Sequence, residues 1–227
     1  MPMKRRPSLE LLDSDAGTPE EIAASLRDLR WFNRWFGGVT TGTNLLQTVA
    51  RRLHRSQLSL LEVASGEGFV QQIAAGKLSA SGVALSVTLL DRAPTHLPRN
   101  GSMSKLVADA LQLPFGDFSF DLVSCSLFTH HLSPDAVVRF VHEALRVCRI
   151  AVLVNDLVRH RLHLAWAYAG LPLYRSRITR NDALASVRQA YTELEMVEFC
   201  REAGASAIDV QCHFLFRMGV IAWKQGR

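Results

Sequence analysis

The chain has 227 residues, 48% of them hydrophobic and 21% charged, with a net charge of +5. This balance excludes an intrinsically disordered chain, and the absence of any Lys/Arg-rich run with interleaved aromatics argues against a nucleic-acid partner. The length suits one domain with a modest elaboration, and no apolar run approaches the roughly 18–20 residues of a transmembrane segment.

Lys4, Arg5 and Arg6 are followed by acidic residues, not by the apolar stretch of a signal peptide. Residues 1–18, with Pro2, Pro7, Gly17 and mixed charges, read as a flexible tail. Pro19 opens a helix over 19–36, with Glu20 and Glu21 in the first turn, where the helix dipole favours acids. Its aromatics Trp31, Phe32, Trp35 and Phe36 recur at helical spacing, and Gly37 and Gly38 end it. A second helix is expected over 43–54, so residues 19–56 form an N-terminal helical cover.

From residue 57 the pattern alternates. Strands are expected at 58–64, 83–90, 105–108, 120–127, 150–154, 207–212 and 218–223. A helix over 68–76 follows the first strand. Ser133, Pro134 and Asp135 supply an N-cap, a first-turn proline and a first-turn acid for another. Thr192 and Glu195 have capping-box spacing, and Gly204 stops the helix they open. The result is an α/β, Rossmann-like, mostly parallel seven-stranded sheet with helices on both faces. Ligands of such sheets bind at the carboxyl ends of the strands, where the strand order reverses.

Three segments fall at those ends. In LLEVASGEGFV (60–70) a strand delivers Glu62 and a small-residue turn opens a helix, which lets a ligand approach the backbone and the free N–H groups. Asp91 ends VALSVTLLD; it is either a carboxylate for a ribose diol or a solvated loop acid. VADALQLPFGDFSFDLVSCSLFTHHL (107–132) is the most specific segment in the chain.

Together these three segments resemble the class I S-adenosylmethionine (SAM)-dependent methyltransferases, over about residues 58–156. The branch they resemble is the ubiquinone/menaquinone-biosynthesis-like small-molecule group. The resemblance implies SAM as cofactor, held by Glu62, Ala64, Ser65, Gly66, Gly68, Asp91, Arg92, Asp109, Ala110, Leu111 and Ser126. Asp109 would meet the adenine amino group, with Ala110 and Leu111 beside the ring. Ala64 replaces the first glycine of the family's turn, which implies either a φ below zero at that residue or a weakened affinity. The resemblance also implies that the insertion at 157–191, with the N-terminal helices, covers the substrate. Its Arg159, His160, Arg161, His163, Arg175, Arg177, Arg180 and Arg188 read either as a solvated basic face or as a lid for an anionic or amphiphilic substrate.

The expected reaction is methyl transfer to a small-molecule acceptor, on the hydroxyl of a phenolic, polyketide-like or quinone-like metabolite. His130 and His131 follow the fourth strand, and imidazole is partly neutral near pH 7, so one of them can act as base. The resemblance favours His131, with His130 beside it and Asp156 in reserve. The alternative roles for the histidines are strand capping and backbone bonding. A nicotinamide-dependent oxidoreductase would need glycines at 64, 66 and 69, where Ala64, Gly66 and Phe69 stand. A non-catalytic SAM-binding module is the second alternative, favoured only by Ala64. Cys125, Cys148, Cys200 and Cys212 form no CxxC pair. They read as small hydrophobes in a reducing cytoplasm, and no metal is expected.

Overall fold

The computed structural model describes residues 3–14, 17–98, 103–213 and 216–225. Seven strands form one sheet: β1 (Gln57–Val63), β2 (Ala84–Asp91), β3 (Ser104–Val107), β4 (Phe120–Ser126), β5 (Cys148–Leu157), β6 (Ala207–His213) and β7 (Arg217–Trp223). Their order is β3-β2-β1-β4-β5-β7-β6. The first five run parallel, and β7 lies antiparallel to both of its neighbours. The strand order reverses between β1 and β4, which opens the crevice used for ligands in such sheets.

A parallel sheet must be buried on both faces, and the central strands meet that demand. Successive side chains of β1 alternate between two cores. Leu58 and Leu60 pack with Leu45, Leu46 and Val49 of α2 (Gly38–Arg52) and with Ala74 and Leu78 of α3 (Phe69–Ser79). Leu61 and Val63 pack with Phe140 and Val141 of α4 (Pro134–Val147) and with Met196 and Cys200 of α7 (Glu193–Glu202). Ser133 Oγ caps α4 by accepting from the Ala136 N–H, and Thr192 and Glu195 close a full capping box on α7.

Helix α1 (Pro19–Trp35) begins in a second capping box, between Thr18 and Glu21. Gly37, at φ +84°, turns the chain at once into α2, which therefore starts five residues before the expected 43. Strand β5 extends beyond 154 because β7 pairs along it as far as Leu157↔Arg217. Two helices within 157–191 carry no strong sequence periodicity: α5 (Arg161–Ala169) and α6 (Arg177–Gln189), the latter capped by Ser176 Oγ.

The expectation of a flexible tail needs correction. Residues 3–14 form a strap laid over α6 and the end of β4. Arg5 donates to the carbonyls of Gln189 (2.7 Å), His130 (3.0 Å) and Leu132 (2.9 Å), and its guanidinium sits 4.3 Å from the Tyr191 ring centre. The N–H groups of Leu11 and Leu12 donate to Asp182. Glu10, 7% exposed, accepts from Ser186 Oγ and Gln189 Nε2, both at 2.7 Å. The partners stand well over a hundred residues away, so local composition read only prolines and charges.

Hydrogen bonds to a charged group contribute about 1.5–3 kcal/mol. Arg5→Ala is therefore expected to release the strap, with amide exchange of residues 3–14 approaching free rates while β1 and β4 keep their protection. Hydrogen exchange read by mass spectrometry checks this.

Candidate functional site

At the carboxyl end of β1 the chain takes three left-handed residues: Ala64 at φ +51°, Gly66 at φ +50° and Gly68 at φ +67°. The expected negative φ at Ala64 is thus corrected: the alanine adopts the glycine conformation, at a cost of about 1–2 kcal/mol. At Gly66 a Cβ would meet nothing within 4 Å, so the backbone there faces open space. At Gly68 a Cβ would come within 2.7 Å of Leu89 Cδ1, so that glycine serves the packing of α3 on β2.

Asp91 pins the turn. Its Oδ2 accepts from the Gly66 N–H (2.8 Å) and its Oδ1 from the Ala93 N–H (3.0 Å). Each carboxylate oxygen has two lone pairs, so acceptor capacity remains on the cavity side. Glu62 lies beneath the turn, fully buried, and accepts from Ser124 Oγ, while its Oε1 has no partner. Burial pushes its carboxyl up to about 7. Gln71 Nε2 donates to Ser126 Oγ close by.

A second constellation sits at the end of β4 and β5. Thr129–His131 form one 3-10 turn. Asp156 receives Thr129 Oγ1 and the His130 N–H on Oδ2, and the Leu157 N–H on Oδ1. His130 Nδ1 lies 2.6 Å from Asp156 Oδ1. Burial pushes the Asp156 carboxyl up, but the His130 ring and these donors outweigh it and hold the group well below the usual range. An ionised carboxylate only accepts, so Nδ1 carries the proton and Nε2 faces Glu10 Oε1 at 3.6 Å.

His131 stacks on His130, with ring centres 4.1 Å apart. Its Nδ1 stands 2.7 Å from Asp13 Oδ2 and 3.9 Å from Glu10 Oε1. The contact with Asp13 is an ion pair. Burial pulls the imidazole down, but Asp13 and Glu10 win and raise it to about 9. A partly neutral His131 near pH 7, as expected from free imidazole, is therefore corrected to an imidazolium. Burial likewise pushes the Glu10 carboxyl upward, against the pull of both histidines. Glu10, His130 and His131 are close enough to share a metal ion. Each already has protein partners, and the positive charge of His131 balances the acids.

One cavity of about 870 Å³ connects the two constellations. Ala64, Ser65, Gly66, Asp91, Arg92, Asp109, Ala110, Leu111 and Ser126 line one part of it, together with Glu10, His130 and His131. Glu62, Gly68 and Asp156 stand behind this lining and do not reach it. Trp31 and Phe32 of α1, Phe36 at its C-cap, and Trp166 and Tyr174 of the 157–191 segment form the aromatic walls. None of the segment's arginines lines it. Arg159 pairs with Glu195, Arg177 with Glu21, Arg180 with the Tyr174 carbonyl and Arg188 with Tyr168. A shallower depression of about 980 Å³ lies beyond Phe216 and Arg217, away from the glycine turn.

Residues 61–152 match a family model described as a methyltransferase domain. No curated protein matches the chain in sequence. Among solved structures it is similar to the plantazolicin methyltransferase BpumL in complex with a pentazolic desmethylPZN analog and SAH. That match has a TM-score of 0.71 and 11% identity, over 96% of this chain and 95% of that one. It is also similar to a SAM-dependent methyltransferase from Methanosarcina mazei (TM-score 0.54, 17% identity, 76% of this chain and 95% of that one). A third is magnesium protoporphyrin IX methyltransferase (ChlM) from Synechocystis PCC 6803 with bound SAH (TM-score 0.53, 14% identity, 82% of each). At these identities the likeness is one of fold.

The raised His131 sets a pH dependence. Its folded-state value of about 9 exceeds the unfolded value of about 6.5. The stabilisation is therefore complete below that lower value and is lost as pH rises through the upper one. Thermal midpoints are expected to fall between those limits, and Asp13→Asn to flatten the fall. Imidazole NMR of the same two proteins reads the titration directly.

Proposed function

We propose that this chain, a SAM-dependent methyltransferase, methylates a hydroxyl group of a phenolic, polyketide-like or quinone-like small molecule. The observation that carries the reading is one cavity lined by the glycine turn, by the histidine pair and by a set of aromatic side chains. The aromatic walls formed by Trp31, Phe32, Phe36, Trp166 and Tyr174 suit an aromatic acceptor. Four cysteines without partners suit a reducing compartment such as the cytoplasm, and no helix of the described residues is long and apolar enough to cross a membrane. The moderate positive charge gives no reason to expect a nucleic acid.

The residues present fit the cofactor. Asp91, with acceptor capacity beyond its bonds to Gly66 and Ala93, would hold the ribose hydroxyls, Asp109, Ala110 and Leu111 would border the adenine, and the open space at Gly66 would admit the nucleoside. Glu62, with its unpartnered Oε1, underlies the amino-acid arm. SAM, when bound, supplies an electrophilic methyl group. The chain's own task is alignment, exclusion of water and handling of one proton.

A phenolic hydroxyl titrates near 10, so it is neutral unless a cation assists. His131, held as a cation by Asp13 and Glu10, stabilises the developing oxyanion. Glu10, a buried carboxylate beside it, accepts the proton. Asp156 acts through His130 as a positioning residue, by fixing the ring and the turn that carries His131. In this reading His131 is the electrostatic partner and Glu10 the base, which adds a residue from the strap to the expected set.

Two measurements test the assignment. Asp91→Ala is expected to weaken SAM binding at least about tenfold in calorimetry, since each charge-assisted hydrogen bond contributes about 1.5–3 kcal/mol. Unchanged affinity removes Asp91 from the site. With labelled SAM and a panel of phenols, Glu10→Gln is expected to lower kcat by about 100-fold or more while SAM affinity stays at the wild-type value. His131→Ala should move the rise of rate toward higher pH. Wild-type rates and profiles in both variants would leave positioning alone as the source of catalysis.

A further inference from the structure

Arg217 opens β7 opposite Leu157 of β5, at the carboxyl edge of the sheet on the side away from Asp91. It is 3% exposed and lines the main cavity. Two neutral amides frame it: Nη1 donates to Asn155 Oδ1 at 3.3 Å and Nη2 to Asn33 Oδ1 at 3.1 Å. Its Nε is buried without a partner. Asn155 is itself held, with Nδ2 donating to the Gly38 carbonyl.

A buried guanidinium without a paired anion is costly, and such charges are ordinarily paired. Asp156 is the carboxylate whose field reaches Arg217, yet its oxygens are occupied by Thr129, His130 and Leu157. The other acids facing the cavity have partners of their own. Glu67 pairs with Arg30, Asp182 receives two backbone N–H groups, and Glu10 and Asp13 surround His131. The cation stays charged all the same: burial lowers its guanidinium to about 10, still well above neutral pH. Arg217 thus brings a charge, a free donor and a place in the wall of a ligand cavity, and no anion pairs with it among the described residues.

We infer that Arg217, framed by Asn33 and Asn155, receives a carboxylate of the methyl acceptor. Neighbouring strands stand about 4.8 Å apart, and β4 and β7 are separated by β5. An acceptor with its hydroxyl at the His131 turn and its carboxylate at Arg217 therefore spans roughly 10 Å. That is the reach of a phenol carrying an acid on a short rigid arm. The inference rests on the aromatic cavity as the acceptor site, and it replaces the lid arginines with a sheet-edge arginine as the source of anion recognition.

The test compares 4-hydroxycinnamate with its neutral amide by calorimetry on the full chain loaded with S-adenosylhomocysteine. The wild type is expected to bind the carboxylate at least tenfold more tightly than the amide. Arg217→Gln should erase that preference while its S-adenosylhomocysteine affinity holds, and Arg217→Lys should keep part of it. Equal binding of the two probes by the wild type, binding of neither, or an undiminished preference in Arg217→Gln overturns the inference. If Arg217→Gln does not fold, the wild-type comparison and Arg217→Lys decide. Because the readout is binding, a carboxylate that binds but is not methylated counts against hydroxyl methylation alone.

Discussion

The buried carboxylate of Asp156 organises the end of the sheet where the site is built. It lies at the end of β5 and gathers Thr129, His130 and the Leu157 N–H around itself. A buried, ionised acid is tolerated only when its lone pairs are filled. Those donors fix the turn after β4 in one shape, and that turn carries His131 into the cavity. Loss of one donor would leave the acid unsatisfied and free the turn, so the histidine pair and the sheet edge stand or fall together.

The strap completes what Asp156 begins. Arg5 binds the carbonyls of the same turn from outside, and Glu10 and Asp13 reach His131 from the cavity side. The turn is thereby clamped between β5 and the N-terminal segment. A histidine between two acids in a desolvated place is a cation at neutral pH, whatever its free value. Its charge is therefore set by its neighbours in the fold and not by the free imidazole value.

The sheet also divides the labour along its edge. The glycine turn and Asp91 lie over β1 and β2, the proton-handling groups over β4 and β5, and Arg217 over β7. These three groups thus stand on separate strands of one sheet edge. Aromatic side chains of α1 and the 157–191 segment wall the chamber. Arg159, Arg177 and Arg180 of the 157–191 segment are spent on carboxylates and a carbonyl of the protein itself, so that segment presents aromatic area and not arginine charge to the chamber.

The amino-acid sequence by itself determined the α/β alternation, the seven strands, the helix that Pro19 opens and the capped helices α4 and α7, since periodicity and capping are local. It also marked the glycine turn, Asp91, Asp109 and the His130–His131 pair, because each stands at a strand end. Tertiary structure alone decided the rest. The left-handed φ of Ala64 follows from the turn that Asp91 pins, 27 residues on. The strap came to order through Arg5 and Glu10, whose partners lie on α6 and after β4. The charge of His131 and the isolation of Arg217 arise from which groups desolvation brings together and which it keeps apart. No spacing along the chain encodes that, because electrostatics in a buried site depends on three-dimensional neighbours and on the removal of water.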